Sequence, residues 1–358
     1  MDKRLSLKFS TISFLLLMMV VVGHAVNIKY TPDGIGYGVW FFENVVSDKF
    51  TKVVIPIFFF ISAYLFFLNV NPDTISVNTF KEKIGKRMKT LLIPYLFWCT
   101  IWFAFVYIIQ LHPAIGIYFG EPIHTLPKWK QFWLLYLEPV NYQFWFIREL
   151  LLYVLITPLL FLAVKHLKWF FLVFLYAMAA YSLSVFTVWN IDIYRYHMIF
   201  YYSLGIYCAI NKVSLSLAFI PTFIQVLLVS LFVFLCCVLL WLDVNVVPDY
   251  GIWYNRLYLN LVSMIGCVGL WAIYDTLDQK FDFKYYQIYS FAFIIYACHG
   301  VPILLLKEAL VAVLAPSPLA RLLLYFATIL FTIIMCVGFG KLFKKYLPKG
   351  YQLVTGNR

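Results

Sequence analysis

The ten residues MMVVVGHAVN, at positions 18–27, place a histidine, His24, near the end of a long apolar run. Such a run is typical of a helix that crosses a membrane, which needs about 20 mostly apolar residues. Lipid offers an imidazole no hydrogen-bond partner, and ionisable groups inside a membrane usually face a protein interior or a wet cavity. The stretch therefore predicts a membrane fold and a first candidate functional residue.

The composition of the whole chain is that of a membrane protein. Hydrophobic residues fill 64% of its 358 positions and charged residues 12%, whereas soluble proteins are roughly half apolar and about a quarter charged. Because apolar runs recur from end to end, we predict an all-α polytopic membrane protein with a single domain over residues 1–358 and no separate soluble domain. The ten predicted transmembrane helices cover residues 9–27, 53–68, 91–110, 143–164, 169–188, 196–211, 217–242, 257–275, 287–307 and 319–343.

The distribution of charge predicts the orientation. With the N-terminus in the cytoplasm, 18 of the 28 Lys and Arg residues fall on the cytoplasmic side, as the positive-inside rule requires. Both termini are then cytoplasmic and the protein is a multi-pass protein of the inner (plasma) membrane. Topology alone explains the net charge of +12, so no nucleic-acid partner is expected.

The seven cysteines include no CxxC pair, so we expect no disulfide framework and no metal site.

Two predicted outer connections are long, at residues 28–52 and 111–142. The second is rich in proline and aromatic residues. Since proline fixes φ and lacks a backbone N–H donor, no helix is expected through the middle of this connection. On the cytoplasmic side, the basic stretch TFKEKIGKRMKT, residues 79–90, is compatible with a helix.

Several ionisable residues share a predicted depth in the outer half of the membrane. His24 lies about 22 Å along the first helix from Phe9, Arg148 and Glu149 begin the fourth helix, and His299 lies in the ninth. Together they predict a cavity that opens outward. Each also has a structural explanation, since a histidine can bond a carbonyl of a neighbouring helix and Arg148 and Glu149 can form ion pairs within the bundle.

A neutral imidazole suits general-base catalysis because its pKa lies close to ambient pH. His24 could take the proton of a sugar hydroxyl while that oxygen attacks a thioester, and an arginine could stabilise the resulting oxyanion. The sequence contains no GxSxG, P-loop, HExxH or GxGxxG pattern. Serine hydrolysis, nucleotide-driven transport and zinc proteolysis therefore have no support.

Six stretches, in order along the chain, resemble the integral-membrane acyltransferase 3 family, which includes bacterial polysaccharide O-acetyltransferases. They are VVVGHA (20–25), VIPIFFFISAYLFF (54–67), KRMKTLLIPYLFW (86–98), FWFIRELLLYVLITPLL (144–160), FYYSLGIY (200–207) and FIIYACHGVPILLL (293–306). The resemblance implies transfer of a short acyl group, typically acetyl, from cytoplasmic acyl-CoA to a carbohydrate hydroxyl. Acyl-CoA is then a donor substrate, and no cofactor is bound permanently. The implied acceptor is an exopolysaccharide, a lipopolysaccharide or a lipid-linked glycan, reached beside membrane lipid.

The resemblance makes His24 the catalytic histidine, and we add Arg148, Glu149 and His299 to the predicted catalytic set. Our own electrostatic reasoning assigns the CoA phosphates to three basic residues at the start of the third helix. These residues are Lys86, Arg87 and Lys89.

This chain departs from the family pattern at one position. Many members carry an arginine eleven residues before the histidine, where this chain has Ser13. We expect either that Lys8 or Arg4 supplies the missing charge, or that the protein handles its donor differently. The acyl group is then acetyl, succinyl or another short chain.

Two other classes stay open. In a carrier or flippase, the histidines and arginines would form a path for substrate and protons. In a non-catalytic subunit of a polysaccharide export system, His24 would be structural. Consumption of acyl-CoA by the isolated protein distinguishes the enzyme from both.

Overall fold

The computed structural model describes residues 3–28, 36–112, 121–181, 186–188, 191–194, 196–245, 253–304, 306–307 and 317–356. Helices dominate these residues. They are α1 (Lys3–His24), α2 (Tyr37–Asn44), α3 (Val54–Phe67), α4 (Val77–Ile109), α5 (Lys128–Tyr136), α6 (Trp145–Tyr181), α7 (Tyr196–Ile210), α8 (Thr222–Asn245), α9 (Trp253–Phe281), α10 (Ala292–Cys298), α11 (Pro318–Tyr346) and α12 (Pro348–Thr355). Two short antiparallel strands, Phe186–Val188 and Ile191–Tyr194, form a hairpin.

Within the described residues, seven helical segments are long and apolar enough to cross a membrane. They are Lys3–His24, Tyr37–Phe67, Val77–Ile109, Tyr142–Ala179, Thr222–Asn245, Leu257–Phe281 and Pro318–Tyr346. The protein is therefore a multi-pass helical membrane protein, as predicted. The ten-helix count and the cytoplasmic location of the termini stay predictions.

The segment Tyr142–Ala179 contains 38 residues, which is about 57 Å of helix against a hydrocarbon core of about 30 Å. Lys168 interrupts it with φ 52° and ψ −131°, so the chain breaks there as the predicted boundary between the fourth and fifth spans requires. The predicted end of the fifth span at residue 188 is wrong. The helix ends at Tyr181, and residues 186–188 are a strand.

The first long connection, predicted as a loop, is largely helical. A π-helical turn (Val45–Lys49) and a 3-10 turn (Phe50–Val53) join α2 to α3, so the helical run extends from Tyr37 to Phe67. The charged residues of this run are paired: Asp48 Oδ1 lies 2.7 Å from Lys52 Nζ, and Asp48 Oδ2 lies 2.6 Å from Lys49 Nζ. Because these charges are paired, they do not prevent the segment from forming a buried helix.

The second connection contains a helix in its later part, α5 (Lys128–Tyr136), whereas the prediction concerned only the middle of the connection. Pro127 directly precedes α5 rather than interrupting it. At a helix start the missing N–H has no helical partner to lose, and the fixed φ favours the first turn.

The basic stretch before the third predicted span is helical as expected. It belongs to α4, where the Ser76 hydroxyl accepts a hydrogen bond from Thr79 N at 3.1 Å.

The chain divides into two compact units. The first contains Met1–Thr74, Leu160–Val185 and Arg195–Gly340, and the second contains Ile75–Leu159, Phe186–Tyr194 and Lys341–Arg358. In the first unit, α7 crosses α3 at close range. A Cβ at Gly205 would lie 2.4 Å from the carbonyl oxygen of Phe60 and 3.0 Å from the Cβ of Ala63. Small residues at such crossings let membrane helices approach closely.

In the second unit, α12 packs against α4. The indole of Trp98 donates to the carbonyl of Val354 at 3.0 Å, and Tyr351 is buried beside them. Gly356 ends α12 with φ 68°, and a Cβ there would lie 2.2 Å from the carbonyl oxygen of Thr90. Only glycine fits this left-handed, closely packed position.

Basic residues near the start of α1 are paired with aspartates of α9. Lys8 Nζ lies 2.6 Å from Asp275 Oδ1 and donates to the Leu215 carbonyl at 2.8 Å. Arg4 lies 3.1 Å from Asp278, but its side chain is 63% exposed, whereas that of Lys8 is 8% exposed. The Lys8–Asp275 pair is thus a buried ion pair inside the first unit.

The crossing at Gly205 predicts a selective packing defect. Gly205→Ala should lower stability by about 1–3 kcal/mol, because the new methyl group meets backbone atoms that cannot move aside. Thermal midpoints of the detergent-solubilised variants measure the effect. The control is Gly38→Ala, since a Cβ at Gly38 meets no atom within 4 Å. Equal midpoints for the two variants would contradict the close crossing of α3 and α7.

The two ion pairs of α1 predict unequal losses. Lys8→Met should cost about 3–5 kcal/mol, because it leaves Asp275 buried without its partner. Arg4→Met should cost no more than about 1 kcal/mol, because that pair is largely exposed. The thermal midpoints of the two purified variants measure these losses of stability. A larger loss for Arg4→Met would show that the buried pair is not the one at Lys8.

Candidate functional site

His24 is the last residue of α1, and the neighbouring π-helical turn determines where that helix ends. The Ser47 hydroxyl donates to the carbonyl of Val22 at 2.7 Å, which satisfies one of the acceptors that a helix end leaves free. A Cβ at Gly23 would lie 3.3 Å from the Ser47 carbonyl oxygen, so the glycine allows this close approach. His24 itself stays partly exposed.

His299 follows α10 and is completely buried. Its Nδ1 lies 3.0 Å from the Ile295 carbonyl oxygen. Because a carbonyl only accepts, Nδ1 carries the proton and Nε2 of the neutral ring is an acceptor. Nε2 is buried and has no hydrogen-bond partner among the described residues. The first unit therefore contains a buried proton acceptor that no protein group in that part of the chain uses.

The structure brings the two predicted histidines together. Their ring centroids are 5.3 Å apart and their planes differ by 8°, so the imidazoles are stacked. Two stacked rings repel each other if both are charged, which favours at least one neutral imidazole in the pair. His24 is partly exposed, whereas His299 is buried.

Next to this pair lies a carboxylate that sequence reasoning missed. Glu43 of α2 is completely buried. Its Oε2 accepts a hydrogen bond from Asn27 N at 2.9 Å, and its Oε1 has no hydrogen-bond partner among the described residues. Since Asn27 is three residues beyond His24, Glu43 fixes the chain directly after the candidate base.

An arginine belongs to the same cluster. Arg321 Nη1 donates to the Asn27 carbonyl at 3.2 Å, and Asn27 Nδ2 donates to the Arg321 carbonyl at 2.9 Å. The cluster thus contains two imidazoles, one carboxylate and one guanidinium group.

A sequence signal for Glu43 existed but was not used. The stretch FFEN, residues 41–44, places one acid among aromatic residues 19 positions after His24. Because residues 28–52 were predicted as an outer connection, Glu43 was not among the candidate residues.

Three hydroxyl-bearing residues of α11 are buried: Tyr325, Thr328 and Thr332. Tyr325 OH lies 2.8 Å from Ser47 Oγ. The buried hydroxyls of Thr328 and Thr332 have no hydrogen-bond partner within the described ranges. A buried hydroxyl without a partner is costly, so this face of α11 is suited to a polar ligand.

Arg148 and Glu149 belong to the second unit. Arg148 Nη1 donates to the Leu137 carbonyl, and Glu149 is completely buried. Their catalytic roles stay predictions.

The predicted phosphate-binding residues also lie in the second unit, on the basic half of α4. Lys86 and Lys89 are exposed and Arg87 is half-buried. Lys86 and Lys89 are three residues apart, which places them on one side of the helix. The structure thus leaves two of the three side chains accessible to an anion.

The structure does not favour Lys8 as a replacement for the arginine that many family members carry at position 13. The Lys8 charge is neutralised by Asp275, and Arg4 is paired with Asp278. Both cations already have carboxylate partners. How the protein handles its donor without an arginine at position 13 stays a prediction.

Comparison with known proteins identifies the family. The model of the acyltransferase domain matches residues 13–340. The chain is also 26% identical over 368 aligned residues to the succinoglycan biosynthesis protein ExoH of Rhizobium meliloti (strain 1021), covering 100% of this chain and 94% of that relative. No solved structure matches the chain. Since the family model spans nearly the whole chain, the protein belongs to the membrane acyltransferase family of this domain and is an acyltransferase.

Proposed function

We propose that the protein transfers a short acyl group, most simply acetyl, from acyl-CoA to a hydroxyl of a carbohydrate, with His24 as the general base. The observation that carries this proposal is the stacked histidine pair, in which a partly exposed imidazole lies 5.3 Å from a buried one. Family membership supports the enzyme over the carrier and the non-catalytic subunit.

The reaction needs a base, an electrophile and a stabilised oxyanion. His24 removes the proton from the acceptor hydroxyl, and the oxygen attacks the thioester carbonyl carbon. Collapse of the tetrahedral intermediate breaks the C–S bond, and the departing sulfur takes the proton from His24. The products are an ester and free CoA thiol. His299 positions its neighbour through the ring stack and presents Nε2 to a hydroxyl group of the acceptor.

A polysaccharide or its lipid-linked precursor is the proposed acceptor. The relative in Rhizobium meliloti is named for succinoglycan biosynthesis, and sugar hydroxyls are the groups that a neutral imidazole can deprotonate during attack on a thioester. We place the protein in the inner membrane, with acylation on the outer side. This location rests on the charge distribution of the loops.

The donor is proposed to bind through its phosphates to Lys86, Arg87 and Lys89. Cationic side chains form strong charge-assisted hydrogen bonds with phosphate oxygens. The accessible Lys86 and Lys89 and the continuous helix that carries them support this assignment.

His24→Ala should lower acyl-CoA turnover about 100-fold or more, because general-base catalysis contributes roughly 10²–10⁴ in rate. Release of free CoA thiol by the purified, reconstituted protein measures turnover, with cell-envelope glycan as acceptor. His166→Ala is the matched control, since His166 is exposed on α6. Turnover by His24→Ala at the wild-type rate would remove His24 from the mechanism.

The double variant Lys86→Ala/Lys89→Ala should raise the KM for acyl-CoA several-fold and leave kcat nearly unchanged, because phosphate binding is equal in the ground and transition states. Raising the salt concentration should reduce the difference in KM between the double variant and the wild type, since salt screens exposed charges. Lys128→Ala, at an exposed position of α5, is the control. An unchanged KM in the double variant would refute the phosphate assignment.

A further inference from the structure

His24 is the last residue of α1, so its own helix does not fix its position fully. Residues 25–28 are not helical, and Ala25 N donates to the Val22 carbonyl at 3.1 Å, three residues back rather than four. Helix ends fray because their last backbone groups lack helical partners. A catalytic group must nevertheless be held to within about 0.5 Å. Contacts on either side of His24 therefore determine where its ring lies.

The helical run that contains α2 makes such contacts on both sides. Glu43 Oε2 accepts from Asn27 N at 2.9 Å, three residues after His24. Ser47 Oγ donates to the Val22 carbonyl at 2.7 Å, two residues before it. Glu43 and Ser47 are four residues apart, about one helical turn, so they lie on one side of the run. That side holds the chain before and after the base.

Helix α11 adds a second pair of contacts with the same spacing. Arg321 Nη1 donates to the Asn27 carbonyl at 3.2 Å, and the Arg321 carbonyl accepts from Asn27 Nδ2 at 2.9 Å. Tyr325, four residues later, places its hydroxyl 2.8 Å from Ser47 Oγ. Asn27 is thus held through its N–H, its carbonyl and its side chain, by groups from two helices.

The ring that stacks on His24 is held differently. His299 lies within a helix, since its N–H donates to the Ile295 carbonyl at 3.0 Å and its own carbonyl accepts from Ile303 N at 3.3 Å. The two rings are 5.3 Å apart and nearly parallel. Because one ring is fixed inside a helix and the other follows a helix end, their stacking depends on what holds the chain at Asn27.

Resting on the proposed function, we propose that Glu43 and Arg321 are positioning residues for His24. By holding Asn27 from two sides, they keep the imidazole where it can take the proton of the acceptor hydroxyl. Glu43 acts as a hydrogen-bond acceptor and Arg321 as a donor, and neither transfers a proton. Loss of either contact lets the end of α1 move, and a misplacement of about 1 Å can lower a rate about 100-fold.

The test uses the full-length protein reconstituted in liposomes, with acetyl-CoA as donor and cell-envelope glycan as acceptor. Glu43→Leu should lower kcat about 10- to 100-fold and change the KM for acetyl-CoA less than about twofold. Glu43→Gln should keep kcat within about threefold of wild type, because its amide oxygen can still accept from Asn27 N. Asn44→Ala is the matched control, since the Asn44 side chain donates to the Trp40 carbonyl of its own helix.

The arginine is tested in the same assay. Arg321→Met removes the donor to the Asn27 carbonyl and should lower kcat about tenfold. Arg321→Lys should recover part of that loss, because an ammonium group can donate to the same carbonyl. The Arg321 carbonyl, which accepts from Asn27 Nδ2, remains in both variants. Arg321→Met therefore also decides the matter if Glu43→Leu does not fold.

A second background separates positioning from a merely structural role. In His24→Ala, the further change Glu43→Leu should have no effect on the residual turnover, because Glu43 acts through His24 and the two losses are then not additive. A structural role would instead give losses that multiply, or a lower thermal midpoint with the kcat of the folded protein unchanged.

The outcomes distinguish this inference from the function on which it rests. Wild-type kcat in Arg321→Met, a loss in Glu43→Gln as large as that in Glu43→Leu, or multiplying losses in the His24→Ala background would each overturn it. Loss of turnover in His24→Ala leaves the proposed function standing in all three cases. Wild-type turnover in His24→Ala would overturn the proposed function and this inference with it.

Discussion

The hydroxyl of Ser47 makes the contact on which the site depends. It donates to the Val22 carbonyl at the end of α1 and lies 2.8 Å from the Tyr325 hydroxyl of α11. Three helical segments of the first unit thus meet at one buried oxygen, and α1 ends one residue beyond the close contact at Gly23. Because lipid offers no hydrogen bonds, such contacts must come from the protein itself. The position of His24 follows from them.

The buried charges of the first unit fall into two groups. Lys8 is paired with Asp275, and Lys49 is paired with Asp48 and Asp243. These pairs neutralise ions that would be costly in a membrane. In the cluster around His24, by contrast, Glu43 Oε1 and His299 Nε2 are buried without a hydrogen-bond partner among the described residues. Polar atoms left in this state are expected where a substrate, rather than the protein, completes the bonding.

Much of the fold could be predicted from the sequence, because apolar runs of the right length have few alternatives to a membrane helix. The sequence predicted a shared depth for His24 and His299, but the stacking of their rings also depends on the rotation of each helix, which depth does not give. Glu43 was missed for a physical reason. Residues 28–52 were predicted as an outer connection, and a sequence does not show that Lys49 pairs with Asp243, 194 positions away, inside the protein. Helix α5 was not predicted because proline disrupts the interior of a helix. Pro127 directly precedes α5, and proline favours the first turn of a helix.

The central claim is that acyl transfer takes place at the cluster around His24. Covalent labelling with bromoacetyl-CoA tests it most directly, because the reactive carbon occupies the position of the transferred acyl group and alkylates the nearest nucleophile. Peptide mapping by mass spectrometry should find the label on His24, and an excess of acetyl-CoA should prevent it. A label that acetyl-CoA suppresses but that maps only to residues of the second unit would contradict the account.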